Sequence, residues 1–164
     1  MSAWQRLCFV TLAVGGGFAG FVATLPCLLR PPAPGPLYLA MVSAFLALYV
    51  FVTASGLLLV HCERRTAPLL LAFALQVLWF SSPLAAFRFT AGLDVSVGIL
   101  GGGFVPRVYL GSGWECSVLQ GAPWGVGINL SALLAVAVLA CPRCSRQFGP
   151  GANRPEQGSA SYRQ

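Results

Sequence analysis

The residues with the most chemical reach are six cysteines, one histidine and a small set of charges. Cys141-Pro142-Arg143-Cys144 has the C-x-x-C spacing shared by dithiol redox centres and zinc sites, in which two sulfurs can meet one atom. Zinc needs four ligands, and His61 and Cys62 could complete the set with Cys141 and Cys144 only if their helix ends came level; a single C-x-x-C without a second pair argues against it. His61 has no nucleophile constellation beside it. Gly101-Gly102-Gly103 lacks the Lys-Ser/Thr of a phosphate loop and leads into Val105-Pro106 rather than a helix. These residue types therefore point to no catalytic group, no cofactor and no metal, and the chain reads as a non-enzyme.

The elements that must position these groups are long apolar runs. Leu7 to Leu29 is uncharged and bracketed by Arg6 and Arg30; about 20 such residues cross a bilayer. It is too long for the apolar region of a signal peptide, although Arg6 and the small residues near Ala23 would suit one. Three further runs follow at 37–60, 67–87 and 124–140, the one at 67–87 with Pro68 near its start and Gln76 inside it. Of the 164 residues 57% are hydrophobic and 9% charged, against about a quarter charged in a soluble domain. The expected fold class is an all-α integral membrane protein, a four-transmembrane-helix bundle over residues 1–141 with a disordered cytosolic tail at 142–164.

The formal charge of +6 comes from ten arginines, which sit in connecting segments and the tail, where they meet anionic lipid rather than nucleic acid. With the N-terminus cytosolic, Arg6, Arg64, Arg65, Arg143, Arg146, Arg154 and Arg163 lie inside and Arg30, Arg88 and Arg107 outside, so both termini are expected in the cytosol. Segment 31–36 is then a short outer turn and 88–121 a longer outer loop. Within that loop Val95–Leu100 and Phe104–Leu110 flank a glycine turn and predict a β-hairpin, with Pro106 confining the second strand to an edge. A partly inserted loop is the alternative. The location expected is the plasma membrane or the secretory pathway.

This topology sorts the cysteines. Cys27 and Cys116 share the outer side and could form a disulfide or remain two thiols. Cys8, Cys62, Cys141 and Cys144 lie at the cytosolic face, where S-palmitoylation is the preferred reading and plain helix-end packing the alternative. Gly16 and Gly20 share one helix face, and Ala13 and Gly17 form a second four-residue step; small residues so spaced let backbones approach. Asn129-Leu130-Ser131 matches a glycosylation acceptor but falls inside the fourth run, so it is expected to be unused.

Four spans with a short first and longer second outer loop resemble the MARVEL-type tetraspan proteins. Pro36-Leu37, Met41-Val42-Ser43 and Phe45 are similar to the start of the second helix in the myelin-and-lymphocyte branch. The resemblance implies a role in organising membrane. A membrane thiol enzyme resembling the vitamin K epoxide reductase family is less favoured, because the C-x-x-C lies at the inferred cytosolic end and that family's second cysteine pair is missing. The expectation is a multi-pass protein that organises membrane or escorts partners through helix packing and lipid contact. The alternative is an accessory subunit of a channel, receptor or transporter. Expected partners are membrane lipid and other membrane proteins or further copies of the chain.

Overall fold

The computed structural model describes residues 3–30, 35–62, 66–119 and 121–141. The chain begins with α1 (Ala3–Val10), a π-helical turn (Thr11–Gly15) and α2 (Gly16–Leu29), which run on as one helix of 27 residues. α3 (Pro36–His61) returns antiparallel beside it, its proline placed in the first turn where a missing N–H costs least. α4 (Ala67–Ala74) follows, then β1 (Leu78–Ser81), β2 (Ala85–Leu100), β3 (Gly103–Val118), β4 (Gly125–Asn129) and α5 (Leu130–Ala140).

The all-α four-helix expectation is thus overturned: a four-stranded antiparallel sheet occupies the second half of the chain, and among the described residues two helices are long and apolar enough to cross a membrane. The run at 67–87 is not one helix. α4 stops at Ala74, after which a turn leads into Leu78-Trp79-Phe80, aromatic residues that fit a pleated surface, and Pro83 closes off any helical restart. The run at 124–140 also divides. Gly125 and Gly127 alternate with Val126 and Ile128, a two-residue period that fits a strand rather than a helix, with Gly127 leaving room for the Trp79 ring. Asn129 then caps α5, its side-chain oxygen accepting from the N–H groups of Ser131 at 3.1 Å and Ala132 at 3.2 Å.

Segment 88–121 is likewise not a loop. β2 and β3 pair over their full length, from Ala85 opposite Val118 to Leu100 opposite Gly103, around a turn at Gly101 and Gly102, both with positive φ. β3 lies at the sheet edge, where Pro106 withholds only an N–H. Ser81 of β1 pairs with Ala86 of β2 and also with Gly125 of β4, and Gly125 pairs with Leu100 at the far end of β2. A straight strand would put Ala86 and Leu100 about 45 Å apart, whereas this chain of pairings holds them within about 15 Å. The hairpin must therefore fold over, and it carries a glycine on each strand, Gly92 opposite Gly111, both at positive φ, where it can do so. The result is a small, nearly closed barrel of β1, β4 and the two halves of the hairpin.

Helices and barrel share one core. Phe87 and Phe89 on β2 and Trp114 and Cys116 on β3 face the helices, where Phe45 stacks on Trp114 with ring centroids 4.7 Å apart and Tyr49 meets Phe89 at 5.0 Å. Tyr49 donates its hydroxyl to the Thr90 carbonyl at 3.3 Å, and Trp114 donates its indole N–H to Thr24 at 3.0 Å. Toward Arg6 and His61 the sheet gives way to α4 and α5: Leu69, Ala72 and Phe73 of α4 join the core beside α3, and α5 packs on α4 and β2.

Candidate functional site

The side of the hairpin turned away from the helices carries the charges. Six described residues are arginine, aspartate or glutamate, and four of them, Arg88, Asp94, Arg107 and Glu115, stand on β2 and β3. Alternation puts them on one face: Arg88 lies opposite Glu115, Ser96 opposite Arg107, and Asp94 opposite Tyr109. Because the hairpin folds over, this face becomes the inside of the barrel.

Inside it, Arg88 Nη2 donates to Asp94 Oδ2 at 2.6 Å and to Ser96 Oγ at 2.9 Å, so a residue of the near half grips two of the far half. Its guanidinium also lies 5.4 Å from the centre of the Trp79 ring. Trp79 in turn lies over the backbone of Gly98 and Gly127, paired neighbours on β2 and β4; any Cβ there would collide with the indole. Asp94 is buried, and its second oxygen, Oδ1, has no hydrogen-bond partner among the described residues, as is also true of Trp79 Nε1.

Between the two halves lies a cavity of about 280 Å³, whose lining includes Trp79, Arg88, Ser96, Arg107 and Glu115. Arg107 rests against the Tyr109 ring at 5.5 Å, and Glu115 makes no ion pair among the described residues. The cavity thus offers one carboxylate and one guanidinium that are not joined to each other. The groups it offers are carboxylate, guanidinium, hydroxyl and an aromatic face.

The other face of the barrel is the reverse. Phe104, Val108 and Leu110 on β3 project outward with Ile99, Val126, Ile128, Leu78 and Phe80, Val108 and Leu110 being nearly four-fifths exposed. The barrel is polar inside and apolar outside.

The small-residue steps of the first helix meet this assembly and α3. Gly16 abuts the β2 backbone at Ala91 and Gly92, Gly17 abuts Tyr49 and Thr53, and Gly20 lies under the Tyr49 ring. Ala13 is fully buried beside Gly56 of α3. Their contacts are therefore within the chain. Cys27 and Cys116 are both free thiols, and Cys116 points at Met41 Sδ, 3.4 Å away. Cys8 is half-buried, Cys62 and Cys141 are exposed, and Cys144 and the tail at 142–164 lie outside the described residues. No group of three or more histidine, cysteine or acidic side chains gathers among the described residues, so His61, Cys62 and Cys141 do not form the core of a zinc site. Gln76 is buried, donating to the Ala72 carbonyl at 2.9 Å and accepting from the Ala91 N–H at 2.8 Å, which ties α4 to the bend of β2.

The charged face does not stand out in the sequence, where Asp94, Arg107 and Glu115 read as interruptions of a loop. Their parity is the available signal: Arg88, Asp94 and Ser96 are all even, and Arg107, Tyr109 and Glu115 all odd, as one face of an antiparallel pair requires. No protein-family model, no curated protein and no solved structure matches the chain.

Proposed function

We propose that this chain is a non-enzymatic membrane protein that sits in lipid along its helix pair and the outer face of its barrel, and organises membrane or escorts partners there. The observation that carries the reading is the inverted polarity of the barrel, with the Arg88–Asp94 ion pair sheltered inside and aliphatic and aromatic side chains turned out. In water this arrangement forfeits burial of about 1.5–3 kcal/mol for each large apolar side chain left outside. In lipid it is the favoured alternation. The two long helices agree, with mean hydropathy of 1.9 and 2.1 and with Phe18, Val22, Leu29, Leu37 and Val50 directed outward.

Alkaline carbonate washing of membranes from cells expressing the full chain tests this. The protein stays in the pellet and enters the detergent phase on partition if the reading holds; recovery in the aqueous supernatant as a monodisperse species overturns it.

A second reading, an accessory subunit of a channel, receptor or transporter, is favoured by the edge of β3. Gly103 to Leu110 pairs with β2 on one side and with nothing described on the other. An open sheet edge does not persist in hydrocarbon, so it calls for a covering strand or helix. A stoichiometric partner retained in mild-detergent purification, and lost on Val108→Pro, would favour this reading over membrane organisation alone.

A further inference from the structure

We propose that the barrel cavity is a binding site for a zwitterionic phosphodiester headgroup, of the phosphocholine or phosphoethanolamine kind. The cavity presents a free Glu115 carboxylate and the Arg107 guanidinium around the Arg88–Ser96 hydrogen bond, since Glu115 stands opposite Arg88 and Arg107 opposite Ser96. The two do not pair with one another. A ligand carrying a single charge would satisfy one and leave the other facing it with like sign or no partner; a ligand with a phosphate and an ammonium satisfies both.

The walls select further. Trp79 belongs to the same space, where its ring already lies 5.4 Å from the Arg88 guanidinium, and such an aromatic face attracts an ammonium or quaternary nitrogen. Phe80 belongs to the outward apolar face beside Val126, so the hydrocarbon tails of a bound amphiphile have a surface to follow as soon as they leave the cavity. Buried Asp94, bonded to Arg88, keeps the inner guanidinium neutralised, which leaves Arg107 as the phosphate partner and Glu115 as the ammonium partner.

This inference deepens the membrane reading and rests on it for the source of the ligand. The test uses the full chain in mild detergent with phosphatidylcholine, phosphatidylethanolamine or phosphatidylglycerol added, bound lipid being counted by native mass spectrometry, with glycerophosphocholine as a soluble competitor. Glu115→Gln and Arg107→Gln alter exposed side chains, and thermal unfolding checks that both still fold. The expected result is one zwitterionic lipid per chain at a concentration where phosphatidylglycerol is not retained. Glu115→Gln and Arg107→Gln then each weaken retention of the two zwitterionic lipids about tenfold. Displacement by glycerophosphocholine identifies the free diester as sufficient, and resistance to it identifies the bilayer lipid; either supports the site. Equal retention of phosphatidylglycerol, or retention unchanged in both variants, overturns the proposal. A chain that washes off membranes yet binds glycerophosphocholine through Glu115 and Arg107 keeps the site and overturns only the membrane reading.

Discussion

Glycine does different work at neighbouring positions of the first helix, and substitution separates the roles. A Cβ at Gly16 would collide with the backbone of Ala91 and Gly92, and one at Gly20 with the Tyr49 ring, whereas Gly15 has nothing within 4 Å. Gly16→Ala and Gly20→Ala should each cost about 1–3 kcal/mol through overpacking. Gly15→Ala should be neutral or stabilise by up to about 1 kcal/mol, because alanine is the better helix former. Thermal unfolding of the three variants in mild detergent checks this; equal losses at all three would mean that the helix does not approach β2 as described. Asn129 offers a second residue-scale test. Its side-chain oxygen holds the first N–H groups of α5 and accepts from Ser131 Oγ at 2.6 Å, so Asn129→Ala should lose about 1 kcal/mol. The same residue is buried, which accounts for a sequon that glycosidase treatment should leave without a mobility shift.

At the scale of elements, the folded hairpin is the part whose stability depends on charge. Arg88 on the near half holds Asp94 and Ser96 on the far half, and Asp94 is only 2% exposed. Asp94→Leu alone strands a guanidinium in the barrel and should cost about 3–5 kcal/mol, while Arg88→Met with Asp94→Leu should recover most of that loss, since a buried pair replaced by apolar groups of similar size is often neutral. Chemical unfolding of the single and double variants measures the coupling; additive losses would remove the pair from any role in closing the barrel. The sequence discloses part of this element. The glycine turn at 101–102 and the edge placement implied by Pro106 are visible in it, and so is the length of the first two helices. What is not visible is that Leu78–Phe80 and Gly125–Asn129 are strands. Both lie in runs apolar enough to read as spans, because hydropathy over a window of about 20 residues averages away the two-residue alternation that distinguishes them. The fold-over at Gly92 and Gly111 depends on pairings between residues far apart in the chain, which no local pattern encodes. The tetraspan resemblance leans on those two misread runs and keeps only Pro36-Leu37, Met41-Val42-Ser43 and Phe45 on α3 in its support.

For the whole molecule, one substitution tells lipid from water. Val108 projects from the outer face of the barrel and is 78% exposed, two residues from Pro106 and next to Arg107, whose side chain turns into the cavity. If that face meets water, Val108→Arg is a surface change worth less than about 0.5 kcal/mol, and it should improve solubility. If the face meets hydrocarbon, the same arginine costs about 2–4 kcal/mol near the bilayer midplane and progressively less toward the headgroups. Placing arginine in turn at Phe104, Val108, Leu110 and Val126 therefore separates the two solvents and also yields a depth profile. Unfolding free energies measured in bilayer vesicles should show a graded loss across the four positions, with the smallest penalty nearest the headgroups. Four variants as stable as the parent would place the barrel in water, and the polar cavity would then need another explanation than shelter from lipid.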